Sequence, residues 1–228
     1  MVRAVIFDVD GTLVDSVDLH AKAWQEAFQH FGKQVAFEAV RSQIGKGGDH
    51  LMPEFLPREQ IERQGKEIEQ YRTNLFKRQY MPLVKPLPGV RQLFQRLRDD
   101  GRQIALASSA KGDELETYKR IANISDLLDT ETSSDDAQQS KPDPDIFQAA
   151  LHRLHDAPPA DAVAIGDSPY DAEAAGKTGL RTIGVLSGGF PEDRLRRAGC
   201  AEIYRDVAHL LQHYNESLLR ITSGASHG

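Results

Sequence analysis

Four short, nearly continuous apolar runs constrain the fold of this 228-residue chain more than any other feature. They comprise residues 3–7, 102–107, 162–165 and 181–186, and each is bounded by Gly, Asp or Ser. Runs of this kind are typical of strands buried on both faces of a parallel sheet. Between them, residues 89–99 and 144–154 carry apolar side chains at the helical i, i+3, i+4, i+7 spacing. This alternation predicts an α/β fold with a doubly wound parallel sheet.

A long helical stretch follows the first run, because strand-like sequence returns only at Arg102. Residues 16–31 are amphipathic, a Gly-rich break falls at 45–48, and residues 57–80 form a second, highly charged helical segment. The alternative for that charged segment is a coiled-coil arm, but its heptad pattern is too brief to favour one. The stretch is therefore interpreted as a helical insertion.

The length of the chain agrees with such an insertion. Its 228 residues are many for one compact domain of ~100–200 residues and few for two. We predict a Rossmann-like core made of residues 1–15 and 87–228, into which residues 16–86 are inserted as an α-helical cap. The Ser/Gly-rich tail, residues 221–228, is expected to fray.

The composition excludes several classes of protein. With 27% charged and 39% hydrophobic residues, the chain is neither disordered nor collagen-like. Its 28 basic and 34 acidic side chains give a net charge of −6 without a basic run, so we expect no nucleic-acid partner and no membrane partner. No segment approaches the ~20 apolar residues of a membrane span, nor the apolar core of a signal peptide. The single cysteine, Cys200, indicates a cytoplasmic protein. The sequence does not determine the oligomeric state, and a monomer is plausible.

The segment Asp8-Val-Asp10-Gly-Thr-Leu-Val-Asp15 lies directly after the first predicted strand. Doubly wound sheets bind ligands at the carboxyl ends of their strands. Two carboxylates at i and i+2, on a loop that glycine allows to turn back, can converge on one site. Because like charges this close repel, a cation between them is implied, and oxygen ligands suit Mg²⁺. The alternative interpretation of this segment, which the sequence leaves open, is an acidic turn of the Asx type after the strand.

Three further polar segments occur where later strands end. Ser108 and Ser109 would face the same sheet edge as the first motif, although a serine here is also a common helix N-cap. Lys141 precedes a helix predicted to begin at residue 143 or 144, where a cation suits an anionic group; the alternative is a solvated lysine. Asp167 and Asp171 follow the third strand, where the alternative is a capping box that opens the next helix.

In this order, the four segments resemble the motifs of the haloacid dehalogenase-like superfamily, in the phosphatase branch close to phosphoglycolate phosphatase and β-phosphoglucomutase. The resemblance extends from Asp8 to Asp171 and includes the helical insertion. It implies that Asp8 is the nucleophile, which forms an aspartyl-phosphate intermediate, and that Asp10 is general acid and then general base. It also implies Mg²⁺ held by Asp8, the backbone carbonyl of Asp10 and Asp167.

The resemblance assigns roles to the other polar residues as well. Ser108 and Lys141 would hold the phosphoryl oxygens, with Ser109 beside them in the binding site. Asp171 would orient the metal site without binding the metal directly. An acid at position 10 sets this chain apart from the dehalogenases and favours phosphate-ester chemistry. The implied function is Mg²⁺-dependent hydrolysis of a small phosphorylated metabolite, of the sugar phosphate or phosphoglycolate type.

Four residues of the predicted cap are candidates for substrate contact. His20 and Trp24 match a His and a Trp of mutase-like members of the family, in which the His approaches the cleft; the alternative is a surface His and a core Trp. Arg41 and Lys46 flank the turn at residues 44–45, in the region that resembles the family's specificity loop. They would meet a second anionic group of the substrate, unless both are simply solvated.

Three other functions fit part of the sequence. Gly176-Lys177-Thr178 resembles the end of a phosphate-binding P-loop, but that motif needs a glycine where Asp171 stands. A binding protein on a decayed phosphatase scaffold is disfavoured, because every matched catalytic position retains its chemistry. A β-phosphoglucomutase-like mutase would use the same Asp8 and return the phosphoryl group to a sugar. The chain lacks a close copy of the mutase loop around residues 41–48, which favours hydrolysis.

Overall fold

The computed structural model describes residues 2–154 and 157–220, so the tail predicted to fray lies outside the described residues. The strands in this part of the chain are β1 (Ala4–Phe7), β2 (Val14–Asp15), β3 (Lys85–Pro86), β4 (Gln103–Ala107), β5 (Thr130–Thr132), β6 (Ala162–Gly166), β7 (Arg181–Val185) and β8 (Cys200–Tyr204). The α-helices are α1 (Val17–His30), α2 (Phe37–Arg41), α3 (Gly48–Leu51), α4 (Arg58–Leu75), α5 (Val90–Asp99), α6 (Gly112–Ala122), α7 (Asp145–Arg153), α8 (Pro169–Lys177), α9 (Glu192–Arg197) and α10 (Val207–Gln212). Among the described residues, no helix has the length and apolar character needed to cross a membrane.

Six strands form one parallel sheet in the order β5-β4-β1-β6-β7-β8. The predicted α/β fold is thereby confirmed, and all four predicted strands are present. Strand β1 lies inside the sheet, where Phe7 is in register with Leu106 of β4 and Ile165 of β6. Because these strands run parallel, the residues that follow them emerge at the same edge of the sheet.

The sheet also contains two strands that the apolar runs do not reveal. Strand β5 has the polar sequence Thr-Glu-Thr, and in β8, Cys-Ala-Glu-Ile-Tyr, only Cys200 is buried. Both lie at the outer edges of the sheet. An edge strand pairs on one side only and is partly open to solvent, so it does not require a continuous apolar sequence.

The two faces of the sheet carry separate layers of helices. Val5 and Phe7 of β1 share an apolar cluster with α5, α6 and α10, in which Phe94 contacts Phe7 with ring centroids 4.5 Å apart. Ala4 and Ile6 point to the opposite face, where they belong to a cluster with α7 and α8. This alternation along a single strand is the basis of the doubly wound architecture.

Helices α1 to α4 form an insertion between β2 and β3, with an apolar cluster of its own that includes Trp24, Phe28 and Ile68. The helix predicted over residues 57–80 is α4, continued by a π-helical stretch, Phe76–Tyr80. Strands β2 and β3 pair antiparallel, Val14 with Pro86 and Asp15 with Lys85. The insertion therefore leaves and rejoins the rest of the chain at neighbouring points, from which it can lie over the carboxyl edge of the sheet.

Candidate active site

Asp8 is the first residue after β1, and its backbone N–H donates to the carbonyl of Ile165 in β6. Its side chain is buried, and its Oδ1 accepts a hydrogen bond of 2.5 Å from Nζ of Lys141. Lys141 also donates to the carbonyl of Ala107 at 2.9 Å, and its Nζ lies 2.7 Å from Oδ1 of Asp171. The lysine is only 1% exposed, so the alternative of a solvated lysine is wrong. The helix after it begins at Asp145, slightly later than predicted.

Three buried carboxylates converge beside this lysine. Asp8, Asp167 and Asp171 each offer an oxygen within 4.8 Å of the other two. Burial, with the negative charge of Asp171, raises the pKa of Asp8 to about 7 despite the opposing charge of Lys141. The pKa of Asp167 is raised well above its ordinary value by burial and by the charge of Asp8. Three carboxylates facing one ammonium group are short of positive charge, so this cluster suits a divalent cation.

Asp171 has two roles in this arrangement. Its Oδ2 accepts from the backbone N–H of Ser168, and its own backbone N–H donates to Oγ of Ser168, which completes a capping box at the start of α8. The capping alternative is therefore correct for this segment. The other oxygen, Oδ1, forms the ion pair with Nζ of Lys141 at 2.7 Å and belongs to the carboxylate cluster.

Two glycines give Asp167 the space it occupies. A Cβ atom at Gly188, in the loop after β7, would lie 1.6 Å from Oδ2 of Asp167. A Cβ at Gly11 would lie 2.5 Å from the same oxygen, and Gly11 has a φ of +79° that favours glycine. Gly11 belongs to the first motif, but no pattern in the sequence singled out Gly188.

The side chain of Asp10 is not part of the carboxylate cluster and has hydrogen-bonding partners of its own. Its Oδ1 accepts a hydrogen bond of 2.5 Å from Oγ of Ser16 and faces Nε2 of His20 at 2.9 Å. Burial alone would raise the pKa of Asp10, but these partners and the nearby charge of Arg72 bring it below its ordinary value. The two carboxylates of the first motif thus have opposite electrostatic surroundings, which suits two different chemical roles.

His20 lies on α1 and is only 4% exposed, so the alternative of a surface histidine is wrong. Its ring stacks on Phe76 with centroids 3.9 Å apart. Arg72 of α4 donates from Nη2 to Nδ1, and Tyr118 of α6 places its hydroxyl 3.0 Å from Nε2. Trp24 is buried in the apolar cluster of the insertion, so the alternative of a core tryptophan is correct. Trp24 also lines the cavity described below.

The two serines after β4 are in different surroundings. Ser108 is fully buried, and its Oγ accepts from the backbone N–H of Ala110. It does not cap a helix, because α6 begins at Gly112 and Lys111 precedes it. Ser109 faces the cavity. Ser108 therefore holds the turn in which Ser109 and the following backbone are exposed to the cavity.

The two basic residues near the Gly-rich turn also differ. Nζ of Lys46 donates to Gln43 at 2.6 Å and to Glu54 at 2.7 Å, yet the residue still lines the cavity. Nε of Arg41 donates to Asp18, and its Nη2 donates to the carbonyl of Gly188. Arg41 thus joins the insertion to the loop that packs on Asp167.

A cavity of about 350 Å³ lies between the insertion and the sheet edge. Its walls carry many ionisable groups and one large aromatic ring. The insertion contributes His20, Trp24, Lys46, Asp49, Glu69 and Arg72, and the remainder of the chain contributes Asp8, Asp10, Ser109, Lys111, Glu114 and Asp135. Most of the predicted site residues are therefore brought together at this cavity or directly behind its wall.

Comparison with known proteins gives a consistent result. A family model of haloacid dehalogenase-like hydrolases matches residues 5–185. A phosphorylated carbohydrates phosphatase of Thermotoga maritima is 30% identical over 186 residues, which cover 79% of this chain and 83% of that protein. A phosphoglycolate phosphatase of Nitrosospira multiformis is 29% identical over 192 residues, which cover 82% and 84%. The crystal structure of a hydrolase from Pseudomonas syringae superposes with a TM-score of 0.81 at 30% identity, covering 93% of this chain and 98% of that one.

The match to the family model covers most of the chain, and the aligned relatives cover most of their own length. The resemblance inferred from the four motifs is therefore confirmed. This chain is an enzyme of the haloacid dehalogenase-like hydrolase family, in the branch that includes phosphoglycolate phosphatases and β-phosphoglucomutase-like proteins.

Proposed function

We propose that the chain is an Mg²⁺-dependent phosphatase that hydrolyses a small phosphorylated sugar through a phosphorylated Asp8. The observation that carries this proposal is the position of Asp8, which lines the cavity, pairs with Lys141 and has two further carboxylates within 4.8 Å. A carboxylate beside a lysine and a bound metal ion would be suited to attack a phosphoryl group, because the positive charges offset its repulsion by the phosphate oxygens.

The metal-binding residues in this proposal are Asp8 and Asp167, with the backbone carbonyl of Asp10. A divalent cation here is supported by the excess of buried negative charge, because Asp8, Asp167 and Asp171 share the single ammonium group of Lys141. Hard oxygen donors favour Mg²⁺ over softer metals. When bound, Mg²⁺ supplies positive charge that lets the anionic substrate approach an anionic nucleophile.

In the first chemical step, a carboxylate oxygen of Asp8 forms a bond to phosphorus while the bond from phosphorus to the ester oxygen breaks. Lys141 neutralises charge on the transferring group, and Ser109, which lines the cavity in the turn after β4, binds its oxygens in this proposal. In the second step a water attacks the same phosphorus, which releases inorganic phosphate and restores the Asp8 carboxylate.

Asp10 handles the protons of both steps. It gives a proton to the departing ester oxygen and then takes one from the attacking water. In the structure its pKa is below the ordinary value, so near neutral pH the carboxylate is ionised and has the free charge that accepts a proton. Arrival of a phosphate dianion beside it adds negative charge, and this raises the pKa toward a value that suits the role of acid.

The cavity favours a hydroxylated leaving group over a carboxylated one. Asp49 and Glu69 are acidic wall residues, which accept hydrogen bonds from hydroxyl groups and repel a second anion, whereas the basic wall residues Lys46 and Arg72 are bonded to Glu54 and His20. Trp24 adds an apolar face on the same wall. The volume of about 350 Å³ lies at the small end of the ~300–1,000 Å³ range for small-molecule sites. A sugar phosphate meets these conditions better than phosphoglycolate.

The second candidate function is a mutase that returns the phosphoryl group to a sugar. It is favoured by the buried contact between His20 and Asp10 and by the insertion lying over the site, since mutase chemistry requires the exclusion of water. Conversion of a sugar 1-phosphate into the 6-phosphate without release of inorganic phosphate would identify this activity.

The test of the proposal is phosphate release from an aryl phosphate, followed by a panel of sugar phosphates, phosphoglycolate and nucleoside monophosphates. We expect activity that requires Mg²⁺, is abolished by EDTA and is lost in Asp8→Asn. The matched control is Asp15→Asn, which alters an exposed carboxylate of the same motif and should retain activity. Full activity in Asp8→Asn would refute the mechanism, and a clear preference for phosphoglycolate would refute the assignment of the substrate.

A further inference from the structure

Two buried residues of α6, Glu114 and Tyr118, lie one helical turn apart and both face His20. The hydroxyl of Tyr118 donates to Oε1 of Glu114 at 2.8 Å and lies 3.0 Å from Nε2 of His20. Oε1 of Glu114 is itself 3.8 Å from the same nitrogen. Tyr118 is 1% exposed and Glu114 3%, so solvent does not compete for these contacts. Neither residue belongs to any of the four sequence motifs.

The chemical nature of the partners sets the direction of every hydrogen bond around His20. An arginine side chain can only donate, so Nδ1 of His20 must accept from Arg72. The ring proton is therefore on Nε2, which donates toward the carboxylate of Asp10 at 2.9 Å. Because Tyr118 donates its own proton to Glu114, its oxygen presents a lone pair to that same N–H group. The network has one consistent orientation.

We propose that Tyr118 and Glu114 are positioning residues that orient His20 and, through it, the acid/base carboxylate of Asp10. This inference rests on the function proposed for Asp10. Glu114 holds the hydroxyl of Tyr118, the hydroxyl holds Nε2–H of His20, and His20 with Ser16 holds Oδ1 of Asp10. Oδ2 of Asp10 has no hydrogen bond of its own within the described chain, so it is the oxygen that can exchange a proton with the substrate.

Such positioning matters because proton transfer requires donor and acceptor within ~2.6–3.2 Å. A displacement of about 1 Å at a reacting group can cost ~10²-fold in rate. Without the hydroxyl of Tyr118, the imidazole of His20 loses one of the two acceptors that fix its Nε2–H. The expected consequence is slower turnover with little change in substrate binding, because neither α6 residue is placed on the transferring phosphoryl group.

The experiment compares Tyr118→Phe, Glu114→Ala and Glu114→Gln with the wild type in steady-state phosphate release. We expect kcat to fall about tenfold in Tyr118→Phe, which corresponds to ~1.4 kcal/mol, with KM changed by less than about twofold. Glu114→Ala should show a similar fall. Glu114→Gln keeps an oxygen that accepts from Tyr118 and should recover most of that loss.

The matched control is Tyr214→Phe, which removes another buried tyrosine hydroxyl bonded to a carboxylate, that of Asp100 at 2.7 Å. It should leave kcat unchanged. Equal kcat in Tyr118→Phe and the wild type would overturn the inference, as would a loss confined to KM or a loss of equal size in Tyr214→Phe. If the wild type releases no phosphate, the proposed function fails instead, and the two failures are thereby distinguished.

A second readout does not depend on turnover. Nitrogen-15 spectra of labelled histidine should show His20 as the tautomer with its proton on Nε2 in the wild type. Observation of the Nδ1–H tautomer would contradict the orientation of the whole network. The line shape of His20 should broaden in Tyr118→Phe and remain sharp in Tyr214→Phe; a His20 signal unchanged in Tyr118→Phe would also overturn the inference.

Discussion

Replacement of Lys141 by methionine removes the ammonium group from the carboxylate cluster while keeping a long apolar side chain. In the described chain the Nζ atom lies 2.5 Å from Asp8 and 2.7 Å from Asp171, and the side chain is 1% exposed. The variant leaves these carboxylates buried beside Asp167 without an ammonium partner. We predict a loss of stability that depends on both pH and Mg²⁺.

The magnitude follows from the burial of the pair. Removing one partner of a buried ion pair costs ~3–5 kcal/mol. For a chain of this size, each kcal/mol corresponds to ~2–4 °C, so Tm should fall by roughly 6–20 °C near neutral pH. Turnover should fall by at least ~10²-fold as well, since Lys141 is proposed to stabilise charge on the transferring phosphoryl group.

The pH dependence follows from the pKa of Asp8. In the folded protein this pKa is about 7, against an ordinary value of 3.8. A carboxyl group whose pKa is higher in the folded protein contributes stability that is fully present at pH values below its pKa in the unfolded chain. This contribution is lost as the pH rises through its pKa in the folded protein. Without Lys141 the pKa of Asp8 in the folded protein is higher still, so this loss of stability continues to higher pH. The gap in Tm between variant and wild type should therefore widen from about pH 5 to about pH 8.

Differential scanning calorimetry at both pH values, with and without Mg²⁺, measures these effects. Mg²⁺ should narrow the gap at the higher pH, because it supplies the missing positive charge. Lys177→Met is the matched control: within the described residues this exposed lysine bonds to the carbonyl of Pro142 and the carboxylate of Asp143, and its removal should cost less than ~0.5 kcal/mol. A gap that is equal at both pH values and insensitive to Mg²⁺ would show that packing, not charge, explains the loss.

Three further changes test other parts of the site. Gly188→Ala should raise the Mg²⁺ concentration needed for half-maximal activity about tenfold or more, because its Cβ would displace Asp167; an unchanged Mg²⁺ titration would contradict this. Asp10→Asn should lower kcat far more than it raises KM in phosphate release, and equal losses in both would speak against proton transfer by Asp10. Burial raises the pKa of the Cys200 thiol to about 12. Cys200 should therefore resist alkylation by iodoacetamide at about pH 8 until the chain is unfolded, as measured by intact mass spectrometry. Rapid labelling of the folded protein would refute the burial of the thiol.

The parts of the site that were predictable lie at the carboxyl ends of parallel strands. Asp8 and Asp167 follow β1 and β6, which are neighbours in the sheet. Two parallel strands in register must present their next residues at one edge, so the order of apolar runs and polar residues was sufficient to bring these carboxylates together. The residues alone left two interpretations of Lys141, an anion-binding cation or a solvated lysine, since it reaches the cluster from a loop before α7 that follows no strand directly.

The parts that were not predictable depend on tertiary packing. Gly188 matters only because the loop after β7 folds onto Asp167, and no local pattern indicates that contact. Tyr118 lies on the apolar face of α6, where a tyrosine is interpreted as a core residue; its hydroxyl gains a role only from Glu114 and His20. Burial of His20 likewise depends on stacking against Phe76, which lies more than fifty positions away in the sequence.

The central claim is that the reaction passes through a phosphoryl group on Asp8. Acid quenching of the enzyme during turnover of a sugar phosphate with Mg²⁺, followed by peptide mass spectrometry, tests this claim directly. The proposed mechanism predicts a mass increase of one phosphoryl group on the peptide that contains Asp8, and no such increase in Asp8→Asn. Steady turnover with an unmodified Asp8 peptide, or with the phosphoryl group on a different residue, would contradict it.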